Sequence, residues 1–68
     1  MSHRDDTYTL EGVKAVAETD AALLIVTADG DEVWVPKSQI DDDSEVYKKN
    51  NEGDLIVTRW IARERGWL

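Results

Sequence analysis

The sequence predicts a mainly β protein, a small half-open barrel of SH3-like or OB-like character with about four strands and a short C-terminal helix. Three observations predict this class. Apolar residues alternate with polar ones, or run together, in short segments bounded by turn residues. An Asp-Gly pair separates two such segments, as in a β-hairpin. The last periodic residues precede Gly66, as in a helix that ends at a glycine. A flat antiparallel sheet that pairs across a two-fold axis is the alternative.

The first strand is predicted over residues 8–17. The polar residues 1–7 before it are expected to be a flexible N-terminus, so that residues 8–68 form a single domain. Within the strand, the alternation of apolar and polar residues slips near Gly12, as a β-bulge would cause. After a turn, residues 21–28 form a nearly continuous apolar run that is rich in β-branched side chains. That run predicts a central strand.

A hairpin turn is predicted where Asp29 and Gly30 follow this run. We expect it to be a type I′ turn, which needs positive φ at both central residues. The return strand is predicted over residues 32–36, with Trp34 on the face opposite the valines on either side of it. Pro36 has no N–H to donate to a ladder, so the strand ends there or lies at an edge of the sheet.

Beyond this hairpin the chain turns away, and Ile40 is predicted to enter the core. Asp43 or Ser44 is predicted to cap a single helical turn. A polar loop with turn residues throughout then leads to the last strand, which is predicted over residues 55–60. The short C-terminal helix follows directly, over residues 61–65. No internal repeat or linker divides the chain.

The length of the chain limits its core. A chain of 68 residues buries only about 60% of its unfolded surface. Small proteins therefore often add disulfides, a metal or a partner subunit. The sequence contains no cysteine, and its single histidine, His3, lies in the polar N-terminal segment. Disulfides, thiolate zinc sites and histidine metal sites are thus disfavoured, and we predict a homo-oligomer.

The charge balance is strongly acidic, with 15 Asp and Glu against 8 Lys and Arg and a formal net charge of −7. Nucleic-acid affinity depends on Lys and Arg that neutralise phosphates, so nucleic-acid binding is disfavoured. An acidic surface serves solubility, meets a basic partner or imitates DNA. No apolar run is long enough to span a membrane, and the first residues lack the apolar region of a signal peptide. We expect a cytoplasmic protein.

Paired carboxylates are the first catalytic candidates, because hydrolases use two of them as acid and base. Asp41, Asp42 and Asp43 are consecutive and cannot all face one substrate, so a solvated acidic turn is the favoured explanation. Neither this stretch nor residues 29–32 has the alternating oxygen ligands of a calcium loop. Cysteine and a glycine-rich phosphate loop are both missing from the sequence. We therefore expect no enzymatic activity, no cofactor and no metal site.

The segment of residues 32–40 combines groups that could bind a ligand. An aromatic side chain precedes a proline-stiffened exit that presents an ammonium, a hydroxyl and an amide. With the tryptophan that ends the last predicted strand, these groups form the predicted ligand-binding set: Trp34, Lys37, Ser38, Gln39 and Trp60. Trp34 would stack a base while the three polar side chains hold phosphate or ribose. The alternative is structural, with Trp34 covering the second face of the sheet and the polar groups satisfying the backbone of a turn.

The run Trp-Val-Pro-Lys-Ser-Gln-Ile at residues 34–40 resembles a group of small bacterial and phage proteins of no settled activity. The resemblance extends over residues 8–68 and includes Glu-Gly-Asp-Leu-Ile-Val-Thr at residues 52–58, with Trp60 after it. It implies no catalytic residues. It implies a setting of phage and mobile elements, in which short acidic non-enzymatic proteins often act as counter-defence factors.

Three functions are consistent with these residues. The first is a non-enzymatic, phage-encoded homo-oligomer that sequesters a nucleotide-like signalling ligand. The second is an acidic interaction module, an inhibitor or DNA mimic, that binds a host protein and whose binding weakens with salt. The third is nucleic-acid binding through a barrel face. It would need basic side chains to overcome the net charge of −7: Lys37, Lys48, Lys49 and Arg59.

Overall fold

Four antiparallel strands form one sheet in the computed structural model, which describes residues 6–68. The strand order is β3-β2-β1-β4, and a short helix follows the last strand. The elements are β1 (Thr7–Glu18), β2 (Ala22–Val26), β3 (Glu32–Pro36), a 3₁₀ helix (Lys37–Gln39), β4 (Glu52–Thr58) and α1 (Arg59–Glu64). The predicted mainly β class, four strands and C-terminal helix are confirmed. The ladder is not closed, because β3 and β4 lie at opposite edges, so the predicted barrel is not confirmed.

The N-terminal prediction is tested only in part. Residues 1–5, including His3, lie outside the described residues. Thr7, which we assigned to the flexible segment, already belongs to β1 and pairs with Thr58 of β4. None of the helices in residues 6–68 has the length and apolar character that a membrane span requires.

Strand β1 has two partners along its length. Its first half pairs with β4 and its second half with β2. The register towards β4 shifts between Leu10 and Val13, and Gly12 has φ of 70° there, which confirms the predicted bulge. A second shift, between Ala15 and Ala17 towards β2, was not predicted. The two bulges let one long strand serve both halves of the sheet.

Strands β2 and β3 form the predicted hairpin, but its turn differs from the prediction. The Thr27 N–H donates to the Asp31 carbonyl at 2.9 Å, and the Gly30 N–H donates to the Thr27 carbonyl at 2.9 Å. Gly30 has φ of 91°, whereas Asp29 is not among the described residues with positive φ. The connection is therefore a longer loop with a left-handed glycine, and the predicted type I′ turn is wrong.

The core lies against one face of the sheet, which we call the inner face. It is formed by fully or nearly fully buried side chains from all four strands, the loop after the 3₁₀ helix and α1: Val13, Ala15, Leu23, Ile25, Val35, Val46, Leu55, Val57, Ile61 and Ala62. Ile40 packs against this cluster, as predicted, and also bridges to Val57 on the side of β4 that faces away from β1. The opposite face of β1, β2 and β3 is the outer face.

The ends of β1, β2 and α1 differ from the predictions by one or two residues, and larger differences follow the 3₁₀ helix. The predicted helical turn after Asp43 or Ser44 is wrong, because residues 41–51 form an irregular loop, called the 41–51 loop below. The last strand is Glu52–Thr58 and not residues 55–60. Thr58 ends it because the Thr58 hydroxyl accepts a hydrogen bond from the Ile61 N–H at 3.3 Å and so caps α1.

Candidate functional site

The five residues of the predicted ligand-binding set lie in three elements. Trp34 lies in edge strand β3 with 45% of its surface exposed. Lys37, Ser38 and Gln39 form the 3₁₀ helix that follows. Trp60 lies in the first turn of α1, beyond the opposite edge strand β4, and is 58% exposed. Because the 3₁₀ helix follows β3 directly, four of the five residues lie within one short segment of the chain, whereas Trp60 lies in α1.

Lys37 is paired with a carboxylate. Its Nζ lies 2.6 Å from Oε2 of Glu18 at the end of β1. Oε1 of the same carboxylate accepts the Lys49 backbone N–H at 2.9 Å. The hydrogen bond from Lys37, and after it the one from Lys49, hold the pKa of the Glu18 carboxyl below its ordinary value. Glu18 therefore joins β1, the 3₁₀ helix and the 41–51 loop, and it compensates the charge of Lys37.

Gln39 makes a structural contact. Its Oε1 accepts a hydrogen bond from the Thr58 hydroxyl at 2.6 Å. Because Thr58 also caps α1, this bond ties the end of the 3₁₀ helix to the junction of β4 and α1. Ser38, between the two anchored residues Lys37 and Gln39, is exposed. The amide oxygen of Gln39 is thus engaged in holding the fold.

The backbone of Trp34 is covered although its ring is exposed. The Arg65 guanidinium, at the end of α1, donates to the Trp34 carbonyl from Nε at 3.2 Å and from Nη2 at 3.1 Å. The C-terminal helix therefore reaches the free edge of β3. The Trp34 side chain stands on the outer face, directly opposite Leu24 of β2.

A cleft of about 400 Å³ lies between the 3₁₀ helix and the 41–51 loop. Its lining consists of Lys37, Ile40, Asp41, Asp42 and Tyr47. Lys37 is the member of the predicted ligand-binding set that lies in it. In the sequence the aspartates resemble a solvated turn, and no pattern marks Tyr47 as a site residue. Their convergence depends on the path of an irregular loop, which no periodic pattern signals.

Backbone hydrogen bonds position the cleft. The Asp41 N–H donates to the Ile56 carbonyl of β4 at 2.8 Å, next to the bridge between Ile40 and Val57. The Asp41 Oδ2 accepts the Asp43 N–H at 3.0 Å, which shapes the acidic turn. One wall of the cleft is therefore anchored to the edge of β4.

The Tyr47 wall is fixed from the other end of the loop. The Tyr47 N–H donates to Asn51 Oδ1 at 3.2 Å, and the Lys48 N–H donates to the same oxygen at 3.1 Å. The carbonyl of Asn51 in turn accepts the Ala15 N–H of β1 at 2.9 Å. The backbone of Tyr47 is thus held while its side chain remains exposed.

The cleft suits a cationic group better than an anionic one. Asp41 and Asp42 place two carboxylates in it, and the positive charge of Lys37 is matched by Glu18. Tyr47 is 55% exposed, and the Lys48 ammonium lies 5.8 Å from the centroid of its ring. That contact shows that the ring can receive an ammonium, at a position that Lys48 occupies in the free protein. Ile40 adds an apolar surface along which an aliphatic chain can pack.

Metal ligation receives no support from the described part of the chain. In residues 6–68, no three His, Cys, Asp or Glu side chains are grouped so that they could hold a metal ion. Comparison with protein-family models, with curated proteins and with solved structures finds no match to this chain. Functional inference for this chain therefore rests on its own geometry.

Proposed function

We propose that this protein is a non-enzymatic interaction module that binds a basic segment of a partner protein in the cleft beside the 3₁₀ helix. The observation that carries the proposal is the lining of that cleft, which combines two aspartates, a half-exposed tyrosine and an apolar isoleucine. A Lys or Arg side chain matches this set, because its aliphatic stem packs on Ile40 while its charged end meets Asp41 and Asp42.

The size of the cleft suits side chains. Its volume of about 400 Å³ lies near the lower end of the roughly 300–1,000 Å³ of ligand pockets in proteins. It has room for one or two side chains of a partner segment. The overall charge of −7 adds long-range attraction, which raises the rate at which a basic partner associates.

The capture of a nucleotide-like ligand receives less support from the geometry and stays a prediction. Its phosphate would have to compete with Glu18 for Lys37 and lie close to Asp41 and Asp42. The Gln39 Oε1 already accepts from the Thr58 hydroxyl, so only its Nε2 group would remain to bind such a ligand. The pairing of Lys37 and the two aspartates therefore oppose an anion in the cleft.

Nucleic-acid binding meets the same difficulty. Of the basic residues that it would need, Lys37 is paired with Glu18, and Lys48 lies over the Tyr47 ring. In the phage setting that the resemblance implies, the partner would be a host protein in the cytoplasm, and the module would be a counter-defence inhibitor. That setting is a proposal from resemblance alone.

A half-open barrel is our proposal for the architecture that carries this cleft. The bent β1 serves both halves of the sheet. Ile40 bridges to Val57 at the free edge of β4, and Arg65 binds the Trp34 carbonyl at the free edge of β3. These contacts lie at the two edges that a closed barrel would join, and they support an SH3-like arrangement.

Calorimetric titration with a tetra-arginine peptide tests the proposed function, with tetra-citrulline as the neutral peptide of the same shape. We expect the arginine peptide to bind at low ionic strength and the citrulline peptide not to bind. Binding should weaken with salt, since the screening length falls from about 30 Å at 0.01 M to about 8 Å at 0.15 M. Equal binding of the two peptides, or binding of neither, would contradict the proposal.

Two aspartate variants separate the cleft from general attraction. Asp42→Asn removes a cleft carboxylate, whereas Asp29→Asn removes the same charge from the exposed hairpin turn. We expect Asp42→Asn to weaken the affinity for tetra-arginine by about three- to fivefold and Asp29→Asn by less than about twofold. Equal losses would show nonspecific attraction and count against a site.

A gain of affinity tests the role of Tyr47. Lys48→Ala removes the internal ammonium from the ring, and Lys49→Ala removes the same charge nearby. We expect Lys48→Ala to strengthen binding of tetra-arginine more than Lys49→Ala does, by about twofold. ATP is titrated in parallel, and ATP binding that Lys37→Ala abolishes would favour nucleotide capture instead.

A further inference from the structure

We infer that the outer face of β1, β2 and β3 binds a second copy of this chain, with the two-fold axis running along β2. This inference is independent of the proposed function, because the cleft is lined by residues of the 3₁₀ helix and the 41–51 loop. The arrangement follows from which residues stand beside one another on the outer face.

The strand register defines two rows of side chains across the outer face. Residues directly opposite each other on neighbouring strands share a face. The first row runs from Ala17 on β1 through Leu24 on β2 to Trp34 on β3. The second row runs from Lys14 through Val26 to Glu32. Each row thus has an apolar residue of β2 at its centre.

The outer face exposes more apolar surface than the inner one. Leu23 and Ile25 of β2 point to the inner face and are fully buried, whereas Leu24 and Val26 are only partly buried. Trp34 is 45% exposed, and Val16, in the second bulge of β1, is 36% exposed. Together these residues form an apolar patch across three strands, of the kind that marks interaction sites.

A two-fold axis along β2 makes this face complementary to itself. It places β1 of one copy over β3 of the partner, with the two β2 strands over each other. Lys14 then faces the partner's Glu32, which joins opposite charges at both ends of the second row. In the first row the small Ala17 side chain faces the large side chain of the partner's Trp34, so that the indole ring has room.

The other face-to-face two-fold arrangement is less favourable. An axis across the strands would place each row over the other row of the partner. Lys14 would then meet Ala17, and Glu32 would meet Trp34, so neither charge would find an opposite charge. Within its own chain Lys14 also stands opposite Glu52 of β4, but the two form no salt bridge. Lys14 is therefore available to a second copy.

Edge-to-edge pairing through β3 is disfavoured. The Lys37 N–H donates to the Ala21 carbonyl and the Thr27 N–H donates to the Asp31 carbonyl, so the alternation of the ladder turns the Trp34 backbone away from β2. The outward-facing Trp34 carbonyl is occupied by Arg65, and Pro36 has no N–H to donate. A second copy would therefore find an incomplete set of backbone partners at this edge, which favours the outer face.

The size of the face predicts weak association. Three strands spaced about 4.8 Å apart and five residues rising about 3.4 Å each give a face of roughly 14 by 17 Å. That is a few hundred Å² per copy, below the roughly 800 Å² per partner of a standard stable interface. We therefore expect weak association, with dimers forming only at high protein concentration.

Sedimentation equilibrium of the full chain from about 10 µM to about 1 mM tests the inference. Lys14→Glu and Glu32→Lys should each weaken dimerisation by about tenfold, because each sets like charges opposite each other twice per dimer. The double variant restores both opposite-charge pairs and should recover the wild-type constant within about threefold. Arg63→Glu and Glu64→Lys, which make the same charge changes on α1, are the matched controls.

Each outcome of this experiment either supports the dimer or overturns it. Loss in each single variant and recovery in the double variant support the two-fold arrangement, provided that circular dichroism shows all variants folded. A wild-type protein that stays monomeric at about 1 mM overturns the inference. Dimerisation that the charge exchange does not restore, or that the α1 controls weaken equally, also overturns it.

Discussion

The β2–β3 hairpin and the 41–51 loop differ in how much their side chains contribute to the hydrogen bonds that hold them. The hairpin is held by its backbone ladder, and one side chain, Thr27, adds a hydrogen bond at the turn by accepting the Asp31 N–H at 3.1 Å. The loop also has backbone hydrogen bonds to β1 and β4, but it depends in addition on particular side chains: Ser44, Glu45 and Asn51 each bind backbone groups. A ladder tolerates many side chains, whereas the loop requires these. Substitutions should therefore cost more where the loop packs on β4 than in the hairpin.

The largest difference is expected between two glycine substitutions. Gly53 of β4 has φ of 138°, and a Cβ there would collide with Oε1 of Glu45, which accepts the Asp54 N–H at 2.9 Å. Gly30 of the hairpin has φ of 91°, but a Cβ there would meet nothing within 4 Å. We expect Gly53→Ala to lower the free energy of unfolding by about 3 kcal/mol and Gly30→Ala by about 1 kcal/mol.

Urea unfolding of both variants at pH 7 measures this difference. The Glu45 side chain could move aside only by releasing the Asp54 N–H, so the steric cost cannot be avoided freely. Equal losses of stability in the two variants would contradict the expectation that substitutions cost more where the 41–51 loop packs on β4 than in the hairpin.

A smaller difference is expected between two hydroxyl groups. Ser44 is 5% exposed, and its Oγ donates to the Val46 carbonyl at 2.8 Å and accepts the Ile56 N–H at 3.0 Å. Ser44→Ala leaves the part-buried Ile56 N–H without this partner and should cost about 2 kcal/mol. Thr27→Val removes a hydrogen bond at an exposed turn and should cost about 0.5 kcal/mol.

Thermal unfolding of the two hydroxyl variants provides the check. If Ser44→Ala unfolds at the wild-type temperature, the Ser44 hydroxyl does not hold the 41–51 loop to β4. The expected larger cost at Ser44 than at Thr27 would then be wrong.

The smallest effect concerns Glu18, whose carboxylate links β1 to the 3₁₀ helix through Lys37 and to the 41–51 loop through the Lys49 N–H. Lys37 and the Lys49 N–H lower the pKa of Glu18 in the folded state. The contribution of the ionised Glu18 carboxylate to stability is therefore fully present above pH 4.5, the ordinary pKa of glutamate. It is lost as the pH falls through the lower pKa that Glu18 has in the folded state. Glu18→Gln should reduce the free energy of unfolding slightly at neutral pH. Below pH 4.5 the variant should lose less stability with falling pH than the wild type does.

The measurement is the free energy of unfolding of the wild type, Glu18→Gln and the control Glu64→Gln between pH 7 and pH 2.5. We expect the difference between wild type and Glu18→Gln to shrink as the medium becomes acidic. A difference that stays constant across this range would contradict the proposed pairing.

The same contrast explains what the sequence could predict. Asp29-Gly30 between two apolar runs predicts the hairpin, and the slip near Gly12 predicts a bulge, because both are local signals. The turn type was wrong because the register of the ladder, set over the whole hairpin, determines how many residues the loop spans. The valine-rich last strand was also predicted, although its first residues were assigned to a loop.

The candidate site was less predictable. Ser44 resembles a helix cap in sequence, but its partner Ile56 lies 12 residues away, where tertiary packing brings it. Lys37 and Gln39 look like free donors, yet each finds its partner 19 residues away. Such partners carry no periodic signal. The cleft formed by Ile40, the aspartates and Tyr47 could therefore be found only in the folded chain.

We propose that the cleft, and no other surface, receives a basic segment. This is tested by recording ¹⁵N–¹H spectra of the labelled protein during titration with tetra-arginine. We expect the shifted amides to cluster in residues 37–48, with those of the β2–β3 hairpin nearly unchanged. Shifts centred on Trp34 and Leu24, or spread evenly over the acidic surface, would contradict it.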